Sequence, residues 1–232
     1  MKLKEELQTY GIDVSDDEAD KLMKHLELVL DATNRVQLTT IKDLEIGIRL
    51  HICDSLTCLE EVEAAPKGPV VDMGTGGGYP GIPLSIVTGR DVTLLDSVKK
   101  KCAVLDGFIH ELNLTNVSTA PVRAEELAIE KPQGYAVATA RALSSLPSLV
   151  ELASPLLIRG GVLIAQKGNI TDEELSRGDK AAKLVGMSRV SLRRFILSGS
   201  DEKRAIVVYK KVSDSKRKLP RRSGMAQRQP LA

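Results

Sequence analysis

The chain has 232 residues, 42% hydrophobic and 28% charged, which gives room for one sizeable core and excludes a mainly disordered protein; with four Tyr, two Phe and no Trp, that core must be built from Leu, Val, Ile and Ala. The net charge of +2 is unevenly spread: from Lys203 onward ten Lys or Arg face one acid, a balance of +9 that leaves the first 202 residues at −7 and points to a polyanion met by the C-terminal end. Three cysteines (Cys53, Cys58, Cys102) without a CxxC pair argue against a disulfide framework or a metal site, and the absence of an apolar run near the roughly 20 residues of a membrane span, or of a signal-peptide stretch in MKLKEELQTYG, fits a cytoplasmic protein.

In chain order, the first sixty residues read as helical. Ser15-Asp16-Asp17-Glu18 is a capping box, followed by Leu22, Leu26, Val29 and Leu30 at helical spacing. Thr39 to Lys42 interrupts this pattern, and Asp43 can cap a second amphipathic helix carrying Ile46, Leu50, Leu56 and Leu59. Pro66 and Gly68 mark a connection. From Pro69 the pattern becomes an alternation of strands and helices. PVVDM, VTLLD, a run near Val117, YAVATA and VLIAQ read as strands, with helices at IPLSIVT, Lys99–Leu112 and Leu146–Leu157. Such alternation implies a parallel sheet covered on both faces. SRVSLRRFIL and RAIVVYK are separated only by SGSDEK, too short for a crossover helix, so they should close the sheet as an antiparallel hairpin. The expected organisation is a helical extension (1–65), an α/β domain (66–212) and a basic tail (213–232). That tail reads either as a solvated end or as a segment that orders on meeting a polyanion.

The sharpest local signal is Asp72-Met73-Gly74-Thr75-Gly76-Gly77-Gly78-Tyr79-Pro80-Gly81, a glycine-rich loop between the first strand and a helix. In open α/β sheets, ligands bind beyond the carboxyl ends of the strands. A G-x-G-x-x-G match exists at Gly76, Gly78 and Gly81, but it lies late relative to the strand, and Pro80 and Pro83 crowd the N–H groups that a pyrophosphate needs. The spacing Asp72-x-Gly74-x-Gly76-x-Gly78 instead suits a ligand with an ammonium group and no pyrophosphate, a description that S-adenosylmethionine meets. Asp96, 24 residues after Asp72 at the end of VTLLD, can accept from ribose hydroxyls or cap the helix that follows.

With these residues in place, the chain resembles the glucose-inhibited division protein B family, the ribosomal small-subunit methyltransferases G. The resemblance rests on NRVQLTTI (34–41), His51-Ile52-Cys53-Asp54-Ser55, VDMGTGGGYPGIPL, LLDSVKKK, VRAEEL, ARALSSL, AQKG and the tail KLPRRSGMAQRQPL. Leu50 stands where the family usually has Arg, and Met225-Ala226 where Thr-Pro is commoner. The resemblance implies a Rossmann-like class I S-adenosylmethionine-dependent methyltransferase with a mostly parallel sheet. It implies methyl transfer to N7 of one guanine in 16S rRNA, on the small ribosomal subunit or its assembly intermediate, by a monomer with no metal and no membrane partner.

By motif match, Gly74 and Tyr79 should line the cofactor, Gly76 and Gly78 should shape the loop, and Asp96 should take the ribose. Ala124 and Glu125 should lie against the adenine, largely through backbone groups, and Arg141 should contact the cofactor near the target base as the catalytic residue. Guanine N7 already has a lone pair, so the attack needs no proton removal, and the three scattered histidines offer no evident base. Alignment and electrostatics should therefore supply the catalysis. His51, Asp54 and Ser55, at i, i+3 and i+4, fit either RNA contact or helix packing, and Lys167-Gly168 could approach a phosphate. A small-molecule methyltransferase, a nicotinamide-dependent oxidoreductase and a noncatalytic RNA-binding protein are the competing classes.

Overall fold

The computed structural model describes residues 2–232. Helix α1 (Lys2–Gln8) precedes α2 (Asp16–Ala32), whose first turn is closed as the sequence predicts: Glu18 N–H donates to Ser15 Oγ at 3.3 Å and Ser15 N–H to Glu18 Oε2 at 2.7 Å. Leu22, Leu26 and Val29 form the buried stripe of α2, each side chain contributing roughly 1.5–3 kcal/mol by its removal from water. Asp43 accepts from Ile46 N–H at 2.9 Å and starts α3 (Leu44–Gly47). The regular helix expected to follow is interrupted. A widened π-helical turn (Ile48–Cys53) intervenes before α4 (Asp54–Leu56), and Asp54 N–H reaches back five residues to the Arg49 carbonyl. The widening shifts the apolar stripe, so Ile52 and Leu56 are buried while Ile46 is exposed. Helix α5 (Leu59–Ala64) then leads into the sheet.

The sheet has seven strands in the order β3-β2-β1-β4-β5-β7-β6. Strands β1 (Val70–Met73), β2 (Val92–Leu95), β3 (Val117–Ala120), β4 (Tyr135–Arg141) and β5 (Leu157–Lys167) are parallel. They are joined by α6 (Gly81–Thr88), α7 (Lys99–Glu111), α8 (Ala124–Glu130) and α9 (Leu146–Ala153). Strand β5 is longer than VLIAQ: it takes in Arg159-Gly160-Gly161 through an irregular register opposite Tyr135 and Val137, and α9 ends at Ala153 instead of Leu157. Helix α10 (Asp172–Leu184) connects to β6 (Met187–Ile196), and β7 (Lys203–Lys211) returns antiparallel between β5 and β6.

Alternate residues of the central strands feed two cores. Val70, Val137, Ile164 and Ile206 pack toward α2, α6 and α7, sharing one core with the N-terminal helices. Val71, Ala138, Leu163 and Val207 pack toward α9 and α10. The strand order reverses at β1 and β4, which opens a crevice at their carboxyl ends.

The C-terminal segment is neither a frayed end nor a loose arm. Arg221 grips the buried Glu151 of α9 through two N–H···O bonds of 2.6 and 2.7 Å, Ala226 of the short helix α11 (Met225–Arg228) is buried, and Arg177 donates to the Ala232 carbonyl oxygen at 2.9 Å. Leu219 and Leu231 pack on the second core. Lys216, Arg217, Lys218, Arg222 and Arg228 remain exposed, so the segment is anchored by its apolar residues and Arg221 while presenting its other charges to solvent.

Candidate functional site

The glycine loop lies at the crevice, held from beneath by Asp72. This carboxylate is fully buried, accepting from Thr75 Oγ at 2.6 Å and Gly81 N–H at 2.9 Å on one oxygen and from Thr139 Oγ at 3.0 Å on the other. Burial pushes its pKa up, against the opposing pull of those three donors. Asp72 therefore organises the loop, accepting from Thr75 and Gly81 within it and from Thr139 on β4. Gly74 and Thr75 donate their N–H groups to the Leu95 carbonyl at 2.8 and 3.1 Å, tying the loop to β2. Gly76 adopts φ +57° with open space where a Cβ would project. Gly78, at φ +90°, has no such space; a Cβ there would lie 2.6 Å from Ile82 Cδ1 and 3.1 Å from His25 Nε2.

Two cavities meet above Gly74 and Gly76. One, of about 270 Å³, is lined by Leu95, Val122 and Leu143 together with Asp96, Ala124 and Glu125. The other, of about 380 Å³, is bordered by Tyr79, Arg141, His51, Asp54, Gln166 and Arg204. Asp96 accepts from Val98 N–H at 2.9 Å and Gly76 N–H at 3.3 Å, so one carboxylate joins the loop to the start of α7. Glu125 is buried and accepts from Gly224 N–H at 2.7 Å.

Arg141 ends β4 and reaches the widened turn of the N-terminal helices. Its Nη1 donates to the Leu50 carbonyl at 2.8 Å and lies 3.4 Å from Asp54 Oδ2, and its Nη2 lies 3.5 Å from His51 Nδ1. Asp54 also accepts from Arg204 Nε at 3.0 and 3.1 Å, so one carboxylate holds two guanidinium groups at the cavity edge. Gln166 is fixed from beneath, donating through Nε2 to the Asp54 carbonyl at 2.7 Å.

Aromatic rings stack beside this pair of arginines. His51 lies parallel to Tyr79 with centroids 4.7 Å apart, His25 tilts against the same ring at 4.5 Å, and Arg141 sits over it at 5.4 Å. His25 Nε2–H donates to the Gly77 carbonyl at 2.9 Å; His51 Nδ1 facing Arg141 leaves Nε2–H to donate to Thr39 Oγ at 2.8 Å. Burial lowers the His25 pKa to about 3, against the raising effect of its bond to Gly77, and burial together with Arg141 lowers that of His51 to about 4. Both rings are thus neutral at pH 7 and serve as packing and hydrogen-bonding groups, not as proton carriers. Both folded values lie below the ordinary value near 6.5, so their contribution to stability is present above that pH and is lost as pH falls toward 4 and 3. Urea unfolding should show stability dropping between pH 6.5 and 5 by up to about 1.4 kcal/mol per pH unit per histidine, with His51→Gln reducing the slope. A flat profile over that range refutes the buried neutral pair.

Of the residues singled out from sequence, Gly74, Gly76, Asp96, Ala124 and Glu125 border the smaller cavity; Gly74, Gly76, Tyr79 and Arg141 border the larger; Gly78 lies behind the loop. His51 and Asp54 meet Arg141, while Ser55 is buried and donates to the His51 carbonyl. Lys167 is engaged with Glu174 at 2.9 Å and the Ser144 carbonyl at 2.8 Å. His25, Arg204, Gln166 and Gln227 also belong to the site without standing out in the sequence, Gln227 joining the wall of the smaller cavity from the C-terminal segment. Only the helical spacing of His51 and Asp54 pointed toward any of these contacts. Among the described residues there is no cluster of His, Cys, Asp and Glu arranged to hold a metal, and no helix long and apolar enough to cross a membrane.

Comparison with known proteins adds to this geometry. Residues 18–206 match the family described as rRNA small subunit methyltransferase G. The ribosomal RNA small subunit methyltransferase G of Carboxydothermus hydrogenoformans is 36% identical over 99% of this chain and 99% of its own length. The protein of the same description from Deinococcus radiodurans is 38% identical over 95% of this chain and 88% of its own. Among solved structures, an O-methyltransferase from Bacillus cereus in complex with SAH superposes with a TM-score of 0.57 at 19% identity, over 81% of this chain and 90% of that one. At that identity the superposition speaks for the fold alone.

Proposed function

Because the chain belongs to the rRNA small subunit methyltransferase G family, and is therefore a methyltransferase acting on ribosomal RNA, we propose that it methylates N7 of a specific guanine in 16S rRNA, within the small subunit or an assembly intermediate. The observation that supports this best is the meeting of two cavities over Gly74 and Gly76, one bearing Asp96 and the other Arg141. S-adenosylmethionine, the methyl donor, supplies an electrophilic methyl group on sulfonium sulfur. The smaller cavity fits its adenosyl part: Leu95, Val122 and Leu143 to pack against a purine, Asp96 for ribose hydroxyls, and Gly76 without a Cβ to block approach.

The larger cavity then receives the guanine. N7 carries its own lone pair, so no base is required, and the residues around this cavity agree with that chemistry: His51 is held neutral by burial and Arg141, and Asp54 is occupied by Arg141 and Arg204. Arg141 keeps N–H groups on Nη2 and Nε beyond its bond to Leu50, and these orient the base or a carboxylate at the meeting point of the cavities. Holding the purine in line with the methyl group is worth several kcal/mol. The direct test incubates the protein with labelled S-adenosylmethionine and unmethylated small-subunit particles and maps the modified atom. Label at guanine N7 of 16S rRNA is expected; label elsewhere refutes the assignment, and no label favours a binding-only protein.

The RNA is met through phosphate contacts more than base stacking, given six aromatic residues in the chain. The exposed Arg217, Lys218 and Arg222 are the first candidates, and point changes test them without unseating the anchored segment as a deletion would. Replacing all three by Ala should weaken particle binding and reduce the slope of log affinity against log salt by roughly 2–3. An unchanged slope shows that these side chains contact no phosphate.

A further inference from the structure

We propose that the C-terminal segment completes the cofactor site and that Gln227 recognises the adenine edge; this rests on the reading that the smaller cavity takes the adenosyl group. The segment leaves the sheet beside α10, where Lys216 N–H donates to the Leu184 carbonyl at 3.0 Å. It is then fixed to the domain at successive points. Arg221 holds Glu151 and also donates to the Gln229 carbonyl at 2.7 Å, Gly224 N–H donates to Glu125, and Ala226 is buried. These contacts bracket Gln227 and set it in the wall of the cavity that Asp96 also lines.

The chemistry of that wall selects Gln227. One edge of adenine presents an amino donor beside a ring-nitrogen acceptor, and a carboxamide offers the matching acceptor and donor in one plane. The other polar side chains there do not provide this pair. Lys101 and Arg123 only donate, and Glu125 only accepts, with one of its oxygens already taken by Gly224 N–H. Ser97 offers a single hydroxyl, and Asp96 is engaged with Gly76 and Val98. Gln227 is exposed, so its amide is free to turn toward a ring bound in the cavity that Leu95, Val122 and Leu143 line. The Glu125 side chain adds to the backbone role its motif implied: it positions Gly224, and through α11 it positions Gln227.

The coupling runs both ways. A ligand that contacts Gln227 stabilises the docked segment, and the docked segment raises affinity for the ligand. The exposed Arg222 and Arg228 flank the same turn, so cofactor occupancy also firms the surface that presents these charges.

Isothermal titration of the full chain with S-adenosylhomocysteine, and with its analogue lacking the 6-amino group, tests this. Gln227→Ala and the similarly shaped Gln227→Met should each weaken the adenosyl ligand roughly tenfold. The analogue should bind the variants and the parent with much smaller differences. Hydrogen exchange should slow at the amides of residues 224–229 when S-adenosylhomocysteine is added to the parent. If the parent binds and the Gln227 variants match it, with no change in exchange, this inference is overturned and the site reading stands. If the parent does not bind S-adenosylhomocysteine, both fall together.

Discussion

Arg141→Ala is expected to lower single-turnover methyl transfer by roughly 100-fold or more while leaving the fold in place, an effect of the size seen when one orienting or electrostatic group is removed. The geometry separates the two outcomes. Arg141 is not the sole partner of Asp54, because Arg204 donates to the same carboxylate at 3.0 and 3.1 Å, so the substitution does not strand a buried charge. It does remove the donor to the Leu50 carbonyl and the cation over Tyr79, which together hold the widened turn against the cavity. Arg141→Lys keeps the charge but loses the planar fork, and it should recover only a small part of the rate. Thermal melting, S-adenosylhomocysteine affinity and the methylation rate should be measured on the same preparations. Turnover close to that of the parent would remove Arg141 from the catalytic role; a lost rate accompanied by a collapsed melting temperature would make it structural.

The local signals around this site were legible in the sequence because they are short-range. Ser15 with Glu18, Asp43 as a helix start, the strand–glycine loop–helix passage and the final hairpin all depend on residues within a few positions of one another. The contacts that give the site its chemistry are long-range. His25, His51 and Tyr79 come together only because the N-terminal helices pack over the glycine loop, and no periodicity records that approach. Asp72 shows the limit of a motif: its spacing to the glycines is visible in the sequence, whereas its bond to Thr139, 67 residues away on β4, is not. Helix α10 leaves no apolar stripe in the sequence because its buried face is only Leu175, Gly178, Ala181 and Ala182, although Thr171 caps it by accepting from Glu174 N–H at 3.1 Å.

The C-terminal segment hides its anchorage in a related way: its charges dominate the sequence, whereas Arg221 and a few apolar residues hold it to the domain. Arg221→Met should destabilise the protein by about 3–5 kcal/mol, because it leaves the carboxylate of Glu151, with a side chain only 2% exposed, buried without its bidentate partner. For a chain of this length that corresponds to a fall in melting temperature of very roughly 6–20 °C. The double change Glu151→Leu with Arg221→Met removes both charges and should regain most of the loss. The pH dependence identifies the cause. An unpaired buried carboxylate has a folded-state pKa above its unfolded value near 4.3, so the folded variant takes up a proton and gains stability as pH falls through that interval. The deficit of Arg221→Met relative to the parent should therefore narrow as pH falls from 7 to 5, whereas a deficit from lost packing would stay constant. Because Arg221 also holds the Gln229 carbonyl, the double variant, though stable, should still bind S-adenosylhomocysteine more weakly than the parent. Recovered stability together with fully recovered affinity would show that anchoring the segment and forming the adenosyl cavity are independent.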